Sequence, residues 1–158
     1  MTEEPKKGRL TIYIDGAARG NPGPAGIGVV VVGEDKMKIT LSEYIGETTN
    51  NVAEYTALLR ALEIPEVQEA YAIDLYSDSE LLVRQVNGFY RVKNANLQEL
   101  FGKAKKELAR YSYCTINYVP REENKGADLL ANGAIDRFLQ GESKEEKPQP
   151  NSGQGRLL

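Results

Sequence analysis

Residues 10–16, Leu-Thr-Ile-Tyr-Ile-Asp-Gly, restrict this chain more than any other stretch. β-branched and aromatic residues alternate through it, the pattern of a strand with two unlike faces. Leu10, Ile12 and Ile14 share one face, while Thr11, Tyr13 and Asp15 share the other. The strand therefore delivers a carboxylate at its end, which is where an open α/β sheet places its chemistry. An isolated Asp-Gly pair reads most simply as a hairpin turn. A two-residue hairpin would resume a strand at once, however, and residues 17–24, Ala-Ala-Arg-Gly-Asn-Pro-Gly-Pro, read as a long loop that holds Arg19 and Asn21 beside Asp15.

What the chain lacks narrows the chemistry further. Among 158 residues there is no histidine and one cysteine, Cys114. Ser-His-Asp and Cys-His nucleophilic catalysis, His-ligated zinc, thiolate metal clusters and imidazole acid–base work are all excluded. The chemistry has to come from carboxylates. A lone cysteine forms no internal disulfide and suits a reducing compartment. No apolar run approaches the ~20 residues that span a bilayer, and residues 1–8 lack a signal peptide's apolar segment. A cytoplasmic location and no membrane partner are the expectations.

Read in order, residues 1–8 form a charged arm, residues 9–140 one catalytic domain, and residues 141–158 a polar, disordered tail whose terminal leucines offer a docking hook for a protein partner. Strands are expected at 9–15, 27–32 and 36–44, forming an antiparallel meander. Residues 51–63 switch to a helical period, with Val52, Tyr55, Leu58, Leu59 and Leu62 on one stripe and Pro65 ending the helix. A strand at 72–77, helices at 79–87 and 97–111, a strand at 115–119 and a final helix at 124–139 follow. That final helix turns Ala127, Leu130, Ala131, Ala134, Ile135 and Phe138 inward. The fold class is α/β: a five-stranded mixed sheet, meander plus parallel strands, flanked by helices.

Three further carboxylates stand where these elements meet. Glu54 lies about 90° from the centre of its helix's apolar stripe, Asp78 follows the fourth strand, and Asp128 sits one turn into the last helix. Each has a plain structural alternative. Glu54 closes an Asn51-Val-Ala-Glu54 capping box, Asp78 serves as an N-cap, and Asp128 complements a helix dipole. One site accounts for all four together. Carboxylates gathered this closely repel unless cations neutralise them, and oxygen-only ligation suits Mg²⁺ or Mn²⁺. Two such ions ~4 Å apart hydrolyse phosphodiesters without imidazole or thiol.

These residues resemble the type 1 ribonucleases H over residues 9–139. The stretch from Asp15 to Pro24 is similar to that family's first-strand motif, and Thr48-Thr49-Asn50-Asn51-Val-Ala-Glu54 to its helix-start motif. Ser77-Asp78-Ser79 and the closing segment from Arg121 through Asp128 to Asn132 complete the order Asp, Glu, Asp, Asp. The resemblance implies a ribonuclease H-like fold and endonucleolytic hydrolysis of the RNA strand of an RNA–DNA hybrid, leaving 3′-hydroxyl and 5′-phosphate ends. It implies two Mg²⁺ ions, with Mn²⁺ as a substitute, held by Asp15, Gly16, Glu54, Asp78 and Asp128. Asn21, Thr49, Asn50, Asn51 and Ser79 are implied on the hybrid, with Asn51 towards the RNA and Thr49 with Asn21 at a DNA phosphate. Amides that both give and accept suit the 2′-hydroxyls of a shallow minor groove.

Two departures stand out. Relatives often carry a histidine in the loop before the last aspartate; here Glu122 and Glu123 are the candidates to replace it in product release. Some relatives also carry a basic, tryptophan-bearing protrusion, and this chain has no Trp. Its net charge of −3 is awkward for a protein that grips phosphates. Between residues 84 and 110, however, seven cations face two carboxylates. That whole segment, Lys103, Lys105 and Lys106 included, is the expected DNA-strand contact, with Arg91 and Lys93 beside the aromatic surface of Phe89 and Tyr90. A monomer is expected. The rivals are a binding module that has lost catalysis and a different metal nuclease on the same sheet, such as a junction resolvase.

Overall fold

The alternating strand around Ile12 becomes the middle of a five-stranded sheet. In a computed structural model that describes residues 7–143, the strands are β1 (Lys7–Ala18), β2 (Gly23–Gly33), β3 (Lys38–Thr48), β4 (Ala70–Ser77) and β5 (Tyr113–Tyr118), in the order β3-β2-β1-β4-β5. β1 pairs antiparallel with β2 and parallel with β4, so the sheet changes character at its centre. β2–β3 continues the antiparallel meander, and β4–β5 the parallel half.

The helices are α1 (Asn50–Glu63), α2 (Pro65–Gln68), α3 (Glu80–Val86), α4 (Ala95–Leu108) and α5 (Lys125–Ser143), with a 3₁₀ turn at Arg121–Glu123. Leu10, Ile12 and Ile14 of β1 pack with Tyr55, Leu58 and Leu62 of α1 in one buried cluster that also takes in Leu82, Val86 and Leu97. The opposite face of β1–β3 is covered by α5, whose Ala127, Ala131, Ala134 and Ile135 are buried as expected. Phe138 is not inward: it is 37% exposed and stacks on Tyr44 with ring centres 3.8 Å apart. Among the described residues no helix is long and apolar enough to cross a membrane.

The structure redraws several sequence-based bounds. The arm of residues 1–8 ends two residues early, because Lys7 and Gly8 already belong to β1 and Lys7 lies beside Ala70 of β4. β1 also runs on through Ala18, where Ala17 and Ala18 pair with Gly26 and Ala25, so the expected long loop shrinks to a hairpin tip of four residues, 19–22. Pro65 ends α1 and also opens α2 as its first residue, a position where a missing N–H is harmless. α5 continues through Ser143, past the expected tail boundary at 141; the rest of the tail lies outside the described residues.

Candidate active site

Strand register sets the first pair of carboxylates. The last parallel pair between β1 and β4 is Ile14 with Ser77, so Asp15 and Asp78 are the next residues on the two central strands. Asp15 is thus in mid-strand for the antiparallel half but at the strand end for the parallel half. The capping role open to Asp78 belongs to its neighbour, since the Ser79 hydroxyl accepts from the Leu82 N–H at 3.2 Å and caps α3.

Glu54 reaches the same point from α1. Its capping-box alternative fails because the N-cap is Thr49, whose hydroxyl accepts from the Val52 N–H at 3.2 Å; Glu54 lies too far into the helix to close that box. The Glu54 carboxylate instead accepts from the Gly16 N–H at 3.1 Å across the β1–α1 contact. Only glycine fits at position 16, since a Cβ there would run into the backbone of Ala53.

α5 brings the fourth carboxylate. Gly28, directly opposite Asp15 in β2, leaves room for the Ala127 carbonyl, which a side chain would displace. Asn124, 1% exposed, donates to the Ile14 carbonyl at 2.9 Å, and its own carbonyl accepts from the Asp128 N–H at 3.1 Å. The start of α5 is thereby clamped to the residue before Asp15. Asp128 lies in the helix's first turn, so its favourable dipole position and its place at the site coexist.

One carboxylate oxygen from each of Asp15, Glu54 and Asp78 lies within 4.8 Å of the others. Asp128 joins them from the side, close enough for a side-chain hydrogen bond with Asp15. Burial, then the charges of Glu54 and Asp78, push the Asp15 carboxyl up to about 9. Burial and Asp78 push Glu54 up to about 8, against the pull of the Gly16 N–H and of Arg121. Burial also raises Asp78, opposed first by its hydrogen bond with Asp15 and then by Arg121 and Asn124. Three crowded carboxylates whose charged forms are disfavoured by burial and by one another suit a divalent cation bound through oxygen.

A cleft of about 710 Å³ surrounds this cluster, lined by all four carboxylates. Asn21, Asn50, Asn51 and Ser79 all line it, and the Asn21 side chain accepts from the Asn50 N–H at 2.9 Å. Thr49 is committed to capping and is not in the lining. Arg91 and Lys93 stand on the exposed α3–α4 connection, outside the cleft. Glu122 and Glu123 are not brought to the cluster either. Glu123 borders a separate cavity of about 210 Å³ beside Tyr13 and Val30, while Arg121 of the same turn lines the cleft. Arg121 and Tyr118 were missed from sequence. Tyr118 is the last residue of β5, 52% exposed and level with Ser77, a placement that only the β4–β5 register reveals.

Fold and site together define a class: an α/β enzyme whose chemical groups are all carboxylates, gathered where the parallel half of its sheet ends. Residues 13–134 match the family model described as Reverse transcriptase-like. The chain is 38% identical over 137 residues to the ribonuclease HI of Halobacterium salinarum, covering 86% of this chain and 69% of that one. It is 36% identical over 142 residues to a bifunctional protein of Mycobacterium tuberculosis, of which it spans 39%. A ribonuclease H1 isolated from compost, solved in complex with an RNA/DNA hybrid, superposes with a TM-score of 0.77 at 46% identity, over 82% of this chain and 99% of that one. The chain belongs to the type 1 ribonuclease H family, whose members are metal-dependent nucleases.

Proposed function

We propose that this cleft hydrolyses the RNA strand of an RNA–DNA hybrid with two Mg²⁺ ions, leaving 3′-hydroxyl and 5′-phosphate ends, and that the chain works as a monomer. The observation that carries the reading is the convergence of Asp15, Glu54 and Asp78 within 4.8 Å, in a family of hybrid-cleaving nucleases. Asp15, Glu54, Asp78 and Asp128 would hold the ions, together with Gly16, which lines the same cleft. When bound, such ions activate a water and neutralise charge at the phosphodiester.

The chain's own groups do the rest. Asn50 and Asn51 stand exposed at the start of α1, next to Glu54, where they can read 2′-hydroxyls of the strand over the carboxylates. Asn21, fixed by the Asn50 N–H, extends that wall from the β1–β2 tip. Arg121 offsets part of the negative potential at Glu54 and Asp78 on the opposite side. All of these groups come from one chain, so the proposed site asks for no residue from a second copy.

The test offers labelled RNA–DNA hybrid, duplex DNA, duplex RNA and a four-way junction, each with Mg²⁺ and with EDTA. Cleavage confined to the RNA of the hybrid and dependent on Mg²⁺ is expected. Cutting of the junction, or hybrid binding without cutting, would replace this reading with a resolvase or a catalytically silent module.

A further inference from the structure

Arg19, at the β1–β2 tip, is tied to α5 by three donated bonds. Its guanidinium reaches Asp136 Oδ1 at 2.7 Å, Asn132 Oδ1 at 3.1 Å and the Asn132 carbonyl at 3.4 Å. Asn132 in turn, one helical turn after Asp128, directs its Nδ2 at Asp128 Oδ1 (3.2 Å) and at the Asp128 carbonyl (3.1 Å). A guanidinium can only donate, so the Asn132 atom facing Arg19 has to be the amide oxygen. The NH₂ group is then left facing Asp128.

We infer that Asn132, its amide direction set by Arg19, is a positioning residue that fixes how the Asp128 carboxylate is presented to the cleft. The Arg19–Asp136 pair is too exposed, at 39% and 54% of the two side chains, to matter much as a surface ion pair. Its effect is to hold the guanidinium in place, so that Arg19 orients the amide and the amide orients the carboxylate. Partners behind a metal-ligating side chain commonly govern affinity in this way. The inference rests on the proposed function only in taking Asp128 as a metal ligand.

The experiment uses full-length protein with Asn132→Leu, Arg19→Met and the double variant. The first readout is the Mg²⁺ concentration that gives half of the ion-induced rise in Tm, without substrate. The second is kcat and KM on RNA–DNA hybrid. Asn132→Leu should raise the half-point about tenfold and lower kcat about tenfold, with hybrid KM within about twofold of wild type. Arg19→Met should show a smaller shift in the same half-point, and the double variant should match Asn132→Leu alone, because Arg19 acts through Asn132.

A Mg²⁺ titration of Asn132→Leu that overlays wild type overturns the inference. So does a lower Tm in EDTA with no change in the Mg²⁺ half-point, the mark of a purely structural contact. Additive effects of the two substitutions would overturn the role given to Arg19. If the wild-type protein binds Mg²⁺ but leaves hybrid intact, the substrate reading fails, and the titrations still decide the role of Asn132.

Discussion

The carboxylate corner and the cationic segment of α3–α4 each gather like charge, and the fold treats them in opposite ways. At the corner, Asp15 and Glu54 are 5% and 7% exposed, crowded together, and short of counter-charge. Along α3–α4 the cations are exposed, and several have a local partner. Arg84 pairs with Glu80, Arg110 with Glu107, and Lys105 donates to the Val86 carbonyl at 3.0 Å. Lys103 and Lys106 border a groove with Leu62, Glu63 and Gln68, at the far end of α1 from Glu54. Like charges that a fold forces together point to something missing between them, whereas like charges spread over a helix need nothing.

Substitution at the corner should have the largest effect. Asp78→Asn should lower kcat by a factor on the order of 10³ while hybrid affinity in a filter-binding assay stays near wild type. Turnover within tenfold of wild type would show that the crowding at Asp78 has no chemical use.

The next effect depends on pH. The folded-state values of Asp15 and Glu54 lie above their unfolded values, so the native state binds more protons between about pH 4 and pH 9. In EDTA, Tm should therefore fall as pH rises through that window. Asp15→Asn and Glu54→Gln should flatten the fall and raise Tm at pH 8, and Mg²⁺ should stabilise wild type more as pH rises. Melting curves of wild type in EDTA that stay level from pH 5 to pH 9 would contradict the cost of burying and crowding these charges.

Gly28→Ala tests how closely α5 must approach. The added methyl meets the Ala127 carbonyl, and the expected cost is about 1–3 kcal/mol in urea unfolding, together with a higher Mg²⁺ requirement as Asp128 moves away. Unchanged stability would mean that the helix has room to spare.

The cationic segment should respond least. Arg91→Ala with Lys93→Ala should raise hybrid KM about two- to fivefold and reduce its salt slope, whereas Lys103→Glu with Lys106→Glu should leave both unchanged. The reverse result would move the DNA strand to the α1–α4 groove.

Element order and the four carboxylates were readable because each depends on local pattern: alternation into Asp15, helical period around Glu54, strand–helix junctions at Asp78 and Asp128. What could not be read depends on partners distant in sequence. β1 extends through Ala18 only because β2 pairs with it, and alanine carries no strand signal of its own. Tyr118 and Arg121 enter the cleft through the β4–β5 register. Glu122 and Glu123 illustrate the converse, since they stand next to Arg121 in sequence yet do not line the cleft that Arg121 lines.

The central place of β1 has a consequence for synthesis. The first carboxylate is made at residue 15, but its strand gains its parallel neighbour only with β4, and the cluster is closed by α5. Fifty residues separate Asp78 from Asp128, roughly 3–10 seconds of translation at ordinary elongation rates. Until that last helix emerges, a growing chain holds three carboxylates with no fourth and no clamp from Asn124. The site is therefore the last part of the domain to be completed, because its first carboxylate and its closing helix lie at opposite ends of the fold's sequence.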